Sequence, residues 1–211
     1  MSATRICIVR HGETDWNAEK RLQGQIDIPL NAVGQAQAAA AAAGLRGHGF
    51  DVIYSSDMAR TRQTAAPIAA ALGLPVFEAA GLRERHYGLM QGRTASETRQ
   101  HHPEIYERYA ARDPDADLGG GESLRAFAAR VEGTLATLVA AHSGRRLLMV
   151  SHGGVLDIVY RLATGRDLAT PRDFLIPNAA LNWVELVAGT WRLVAWGDRA
   201  HLAEAMDEVA G

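Results

Sequence analysis

Two residues suited to phosphoryl chemistry stand side by side near the start of the chain. Arg10 and His11 follow the apolar run Ile6-Cys7-Ile8-Val9 and precede Gly12-Glu13-Thr14. A guanidinium offers a fixed fork of donors to phosphoryl oxygens. A neutral imidazole offers a lone pair that can attack phosphorus. Alone, such a pair at a strand end is more often structural than catalytic, so the rest of the chain decides. The same device returns after the apolar run Arg146–Ser151, as His152-Gly153-Gly154. Between the two lie Arg60, just after the run Asp51–Ser55, and Glu84, after a further apolar stretch. Cations are disfavoured at a helix start, where the dipole repels them. Arg60 and Arg62 in the first turns of an expected helix therefore point to an anion nearby.

Two histidines, two arginines and one carboxylate suit phosphoryl transfer through a covalent phosphohistidine. The transferred group spreads its charge over three oxygens, so catalysis is mostly positioning and electrostatic holding. Arg10, Arg60 and His152 can supply that hold. The arginines favour the neutral form of His11 that attack requires, and Glu84 can give the leaving alkoxide its proton, because a carboxyl facing a phosphate dianion favours its protonated form.

The elements needed to bring these residues together are legible. The opening run reads as a buried strand, followed by a loop rich in Gly, Pro and Asn. Asn31 caps an alanine-rich helix to about Ala43, with Gly44 as its stop. Asp51–Ser55 is a second strand, and Ser56 or Asp57 caps a helix through about Leu72. Leu74–Phe77 is a short strand. Residues 93–121 are polar, contain Pro103 and Pro114 and end in Gly119-Gly120-Gly121; they read as a lid-like insertion with one or two short helices. An amphipathic helix runs from Glu122 to about His142. After the strand Arg146–Ser151 comes a helix from Val155 to about Leu162. Leu181–Val187 and Trp191–Trp196 alternate as a hairpin turning near Ala188-Gly189-Thr190. Strands alternating with helices predict an α/β/α three-layer sandwich with a mostly parallel sheet, in one domain over residues 1–211. Ligands of such sheets bind outside the carboxyl ends of the strands, where every candidate residue falls.

The apolar fraction is 47% over 211 residues, enough for a sizeable core, and the formal net charge is −2. That balance gives no bulk attraction to nucleic acid or membrane surfaces. The single cysteine, Cys7, excludes an internal disulfide and reads as a small buried hydrophobe. With no leader-like segment and no apolar run of about 18 residues, the expectation is a cytoplasmic protein. His48, His86, His101, His102, His142 and His201 form no set at metal-ligand spacing and read as surface or packing residues; no metal is expected. Trp183, Trp191 and Trp196 read as core. The sequence sets no oligomeric state.

Four blocks in order resemble the histidine phosphatase superfamily, which includes the phosphoglycerate mutases: Arg10-His11-Gly12-Glu13-Thr14, Ser55 through Ala65, Leu82-Arg83-Glu84 with Gly88 and Gly92, and Ser151-His152-Gly153-Gly154. The resemblance spans nearly the whole chain. It implies that His11 is the nucleophile, that Arg10, Arg60 and His152 bind the phosphoryl group with Asn17 and Gly153, and that Glu84 is the proton donor and later the base for water. It implies no cofactor for a phosphatase, and 2,3-bisphosphoglycerate as primer for a mutase.

Glu84-Arg85-His86-Tyr87-Gly88 with Gln91-Gly92 is similar to the glycolytic mutases, in which residues at the positions of Arg85 and Tyr87 help hold the phosphoglycerate. The lysine those mutases carry is Ala95 here, and their paired arginines are reduced to isolated Arg99, Arg108 and Arg112. Ile176-Pro177-Asn178-Ala179 resembles the phosphatase branch. A mutase needs a second anion clamp to return the phosphoryl group before water takes it, so a lid with fewer cations favours hydrolysis. The expected function is therefore a phosphatase on a small phosphate ester, with a mutase as the alternative. Superfamily members that have lost their catalytic residues serve as binding modules; here all five are present. The substrate pocket is expected to be lined by Trp16, Leu22, Gln23, Gly24, Ile26, Arg85, His86, Tyr87 and part of the 93–121 segment.

Overall fold

In the computed structural model, residues 3–202 are described. Residues 1–2 and 203–211 of the expected domain lie outside them. The centre of the molecule is set by two strands, β1 (Thr4–Arg10) and β4 (Arg146–Ser151), which pair in parallel with Arg10 opposite Ser151. Both are apolar on both faces, as a strand covered by helices on each side must be. Alternation assigns the faces. Ile6, Ile8, Leu147 and Met149 pack into one core with α6 (Leu124–Ala141) and α7 (Gly153–Thr164). Cys7, Val9, Leu148 and Val150 pack into the other with α2 (Ala32–Gly44) and α3 (Ala59–Leu72). Cys7 is fully buried and free. Full burial of such side chains contributes about 1.5–3 kcal/mol each.

The remaining strands are β2 (Val52–Ser55), β3 (Val76–Glu78), β5 (Leu181–Val187) and β6 (Thr190–Asp198). The sheet order is β3-β2-β4-β1-β5-β6. The first four strands are parallel, β5 runs antiparallel to β1, and β6 forms a hairpin with β5. This is the expected three-layer α/β arrangement with a mostly parallel sheet. Trp183, Trp191 and Trp196 are half-buried against the two cores. Among the described residues no helix is long and apolar enough to cross a membrane.

Several boundaries differ from expectation: β3 starts at Val76 rather than Leu74, the stretch read as loop after Thr14 opens with the short helix Asp15–Ala18, closed by a Thr14 capping box, and four helix ends shift. α2 runs through Gly44, since the Leu45 amide still donates to the Ala41 carbonyl at 3.0 Å; the missing side chain leaves room for His201, whose Cβ a Cβ at Gly44 would approach to 2.8 Å. α3 is not capped by Ser56 or Asp57. Met58 occupies the cap without a side-chain bond, and the Asp57 carboxylate instead accepts from Arg83 Nε at 2.7 Å. α6 begins at Leu124, one turn being closed by the Ser123 hydroxyl, which accepts from the Ala126 amide. α7 begins at Gly153, so the second histidine is itself the cap residue. The segment 93–121 holds α4 (Ala95–His101) and α5 (Pro103–Ala110). It is fastened to the loop after α1 (Asp15–Ala18) by Arg21, whose guanidinium donates to Glu97. Under it lies a small third core of Met90, Ala116 and Leu118.

Candidate active site

The register of the central strands builds the site. Because Arg10 pairs with Ser151, the chain leaves the sheet at His11 and His152 side by side, with ring centroids 5.3 Å apart. The His11 amide still donates to the Ser151 carbonyl at 2.9 Å. Gly12 is not in a left-handed turn. Its lack of a side chain serves contact with α2: a Cβ at Gly12 would lie 2.4 Å from the Gly34 carbonyl oxygen. On the far side, the stretch before β5 closes on the same corner. The Ala179 amide donates to the Arg10 carbonyl at 3.0 Å and the Asn178 side chain donates to the His11 carbonyl at 2.9 Å.

His11 is 3% exposed, and its Nδ1 lies 2.7 Å from its neighbour's carbonyl oxygen, that of Gly12. A carbonyl only accepts, so the proton sits on Nδ1 and the lone pair on Nε2. Burial first, then the charges of Arg60 and Arg10, hold the imidazole well below its ordinary pKa of 6.5. A neutral ring with a committed tautomer is the state a nucleophile needs.

Arg10 donates from Nη1 to the Ile176 carbonyl at 2.6 Å, while its buried Nε has no partner among the described residues. Arg60 is fully buried; its Nη2 and Nη1 donate to the carbonyls of Gly24 and Ile26 at 2.7 and 3.0 Å. Burial pushes it down to about 10, which leaves it charged at neutral pH. Its Nε donates to His152 Nδ1 at 3.2 Å, and His152 Nε2 lies 2.9 Å from the Ser56 hydroxyl. Both ring nitrogens of His152 are thus engaged, so here it orients Arg60 rather than presenting a free donor. Arg62, expected beside Arg60, points away and pairs with Glu78 at 3.5 Å.

Glu84 follows a short 3₁₀ turn (Ala80–Leu82) beyond β3. Its two carboxylate oxygens accept from the Arg85 and Gly154 amides at 2.7 and 2.9 Å. Arg130 of α6 fixes the turn that carries it, donating to the carbonyls of Gly81, Arg83 and Glu84.

Arg10, His11, Arg60 and Glu84 line one cavity of about 190 Å³, together with Asn17, Arg21, Leu22, Gln23, Tyr87, Tyr109, Gly153, Gly154 and Arg172; His152, expected to bind the phosphoryl group, is fully buried and does not line it. A second cavity of about 170 Å³ adjoins it, sharing Tyr87, Tyr109, Gly154 and Arg172 and adding Arg85, Arg112 and Asp157. Each is small beside the roughly 300–1,000 Å³ pockets of drug-sized ligands.

A profile of the histidine phosphatase superfamily (branch 1) matches residues 6–199. The chain belongs to the histidine phosphatase superfamily. Its relatives carry both kinds of name. An Arabidopsis thaliana protein called phosphoglycerate mutase-like protein 4 is 39% identical, over 94% of this chain and 87% of its own. A metal-independent phosphoserine phosphatase of the same plant is 39% identical, over 95% and 84%. The solved mycobacterial glucosyl-3-phosphoglycerate phosphatase superposes with a TM-score of 0.83 at 32% identity, covering 93% of this chain and all of the other.

In this histidine phosphatase the structure brings Arg10, His11, Arg60, Glu84, Asn17, Gln23, Tyr87 and Gly153 to one cavity. Arg85 lines only the adjoining one. Gly24 backs the site through its carbonyl rather than lining it. Trp16, Ile26 and His86, expected in the pocket, line neither cavity. Trp16 and Ile26 pack towards Gly92, and His86 Nδ1 accepts from the Gly88 amide. Sequence reasoning missed Tyr109, Arg172 and Arg130. Tyr109 lies within the expected lid, whereas Arg172 sits in a stretch without periodicity. Among the described residues no group of three His, Cys, Asp or Glu side chains could hold a metal. The two histidines and one carboxylate of the site are surrounded by guanidiniums, which repel a cation.

Proposed function

We propose that this protein hydrolyses phosphate monoesters of small metabolites through a phosphohistidine on His11. The observation that carries the reading is the fixed tautomer of His11, which leaves its Nε2 lone pair free between Arg10, Arg60 and Glu84. His11 Nε2 bonds to phosphorus as the ester P–O bond breaks, and Glu84 gives its proton to the departing alkoxide. Glu84, now a carboxylate, takes a proton from a water that attacks phosphorus; the P–N bond breaks and inorganic phosphate leaves. The proton stays on His11 Nδ1, donated to the Gly12 carbonyl throughout, so the ring needs no reorganisation. Arg10, with a buried Nε unmatched by any described acceptor, and Arg60 hold the phosphoryl oxygens, with Asn17, Gln23 and Gly153 around them. The whole chain acts as one domain, with 93–121 covering the site through Tyr109 and Arg112.

The phosphatase names among its relatives support hydrolysis, and the mutase names make isomerisation the second reading. One assay separates them. With 3-phosphoglycerate, phosphate release and 2-phosphoglycerate formation are followed together, with and without 2,3-bisphosphoglycerate. The expected result is phosphate release without isomerisation, and an acid-labile phosphoenzyme that His11→Ala abolishes. Isomerisation faster than phosphate release, dependent on the bisphosphate, overturns the reading. Absence of turnover on any phosphomonoester, with the fold intact, points to a binding module instead.

A further inference from the structure

Arg172 is the one charged side chain among the described residues that lines both cavities. It belongs to neither the lid nor the strand ends, but to the stretch between α7 and β5. We propose that Arg172 selects substrates whose leaving group carries a second oxyanion, a carboxylate or another phosphate. The proposal rests on the phosphatase reading above and names the substrate class of that site.

Charge bookkeeping in the two cavities carries it. Three carboxylates line them. Glu84 is held by two backbone amides. Asp113 is taken by Arg108 at 2.7 Å. Asp157, 3% exposed on α7, is shared by three guanidiniums: Arg112 at 2.7 Å, Arg161 at 3.1 Å and Arg172 at 3.2 Å. One negative charge facing three positive ones leaves this wall of the cavity cationic. The three arginines are not equivalent. Arg161 is buried in α7 and also donates to the Asp167 carbonyl, so it is spent on structure. Arg112 uses Nε on the Leu168 carbonyl and Nη2 on Asp157, tying the end of the 93–121 segment to α7. Arg172 gives Asp157 only its Nε, and its terminal nitrogens bond to nothing among the described residues. Its side chain is 43% exposed, so the fork faces open space while its root is anchored on a buried carboxylate. Its charge is felt at Arg10 and at both cavity tyrosines.

The neighbours fit an oxyanion. Tyr87 and Tyr109 stay protonated because burial raises both, so their hydroxyls remain donors at neutral pH. A ligand whose phosphoryl group sits at His11 and whose leaving group extends past Glu84 enters the second cavity at Gly154 and meets Arg172 there.

The test uses matched esters differing in one charge: O-phosphoserine against O-phosphoethanolamine, and 3-phosphoglycerate against glycerol 3-phosphate. A third pair, propane-1,3-diol bisphosphate against its monophosphate, distinguishes a second phosphate from a carboxylate. Wild-type kcat/KM is expected to favour the more anionic member of at least one pair by tenfold or more. In Arg172→Gln that ratio should fall by about tenfold, the loss of one charge-assisted hydrogen bond, and the fall should appear in KM. The position is surface-accessible, so folding should survive; a melting curve checks this, and Arg172→Lys should restore part of the ratio. Equal loss on both members of every pair, or no preference in wild type, overturns the proposal. Phosphoenzyme trapping with p-nitrophenyl phosphate separates the failures: if wild type forms none, the phosphatase reading itself has failed and the substrate class falls with it.

Discussion

Gly154→Ala offers a perturbation that touches the chemistry and spares the fold. A Cβ at residue 154 would lie 2.1 Å from Glu84 Oε1 and 3.2 Å from the Phe127 ring, against 3.4 Å or more for an ordinary contact. The difference for the carboxylate oxygen, 3.4 less 2.1, is 1.3 Å, so Glu84 must retreat by about that much. The retreat is sterically cheap, since the carboxylate is the far end of a flexible side chain. It breaks the bond that Oε1 accepts from the Arg85 amide, costing about 1–2 kcal/mol. A helical Gly→Ala exchange returns about 0.5–1 kcal/mol. The melting temperature should therefore move little. Catalysis should not be spared. A misplacement of about 1 Å can cost roughly 10²-fold, and a positioned general acid contributes about 10²–10⁴-fold. On the proposed reading the same carboxylate activates water in the second step, so the informative readout is the first step, phosphoenzyme formation, followed by rapid quench. With an alkyl phosphate, whose alkoxide needs the proton, the rate should fall by about 10²-fold. With p-nitrophenyl phosphate, whose leaving group departs without help, it should fall by less than about tenfold. Equal losses on both esters, or no loss on either, with an unchanged melting curve would refute the assignment of Glu84 as the leaving-group acid.

Other consequences are thermodynamic. Gly34→Ala places a Cβ 2.0 Å from the Glu13 carbonyl oxygen, a backbone atom that cannot yield as Glu84 does; urea unfolding should show a loss of about 2–3 kcal/mol where a helical Gly→Ala exchange ordinarily gains. The stability of the protein should also fall on mild acidification. Burial, then Arg60 and Arg10, depress His11; burial, then Arg60 and His11, depress His152. Both are neutral when folded but take up a proton on unfolding once the pH drops below the unfolded value of about 6.5, so stability is complete above that pH and lost below it. Each costs about 1.4 kcal/mol per pH unit, about 3 kcal/mol for the pair between pH 7.5 and 5.5. Urea titrations at the two pH values check this, and His11→Gln should remove about half of the slope. A flat profile would mean that the rings are charged in the folded state.

The sheet and the core of the site were legible because their signals are local. An apolar run of β-branched residues that stops at Arg10-His11 is a buried strand with polar side chains at its carboxyl end, and the run before His152 repeats it. Parallel pairing then leaves only one place for those residues to meet. Helix ends were less legible. Gly44 reads as a stop, yet α2 runs through it, and its missing side chain serves a close approach by His201, distant in sequence. Ser56 and Asp57 read as caps, yet Ser56 is recruited by His152 and Asp57 by Arg83. In each case a tertiary partner outbids a local preference. Arg172 and Arg130 were invisible for the same reason. Nothing beside them in sequence marks a surface arginine in the irregular stretch between α7 and β5, or one on an amphipathic helix, as reaching into a site built by other elements.

That distribution of arginines bears on what happens to the phosphoryl group. The lid was expected to decide between hydrolysis and return of the group to its substrate, by the number of cations it carries. In the structure Arg112 of the 93–121 segment is already committed to Asp157 and the Leu168 carbonyl, and Arg108 to Asp113. The free fork belongs to Arg172, fixed through Asp157 to the helix that begins at the second histidine. On the proposed reading, recognition of the leaving group is thus built into the framework rather than into the cover. The alcohol formed in the first step meets Arg172 and Arg85, whose buried Nη2 has no partner among the described residues, while Arg108 and Arg112 of the 93–121 segment are already committed. It can leave while His11 still carries the phosphoryl group, and the space it vacates beside Glu84 admits the water that Glu84 is placed to deprotonate. A mutase needs the opposite order, with the substrate kept and water excluded, and so needs cations that the 93–121 segment has committed to its own ion pairs.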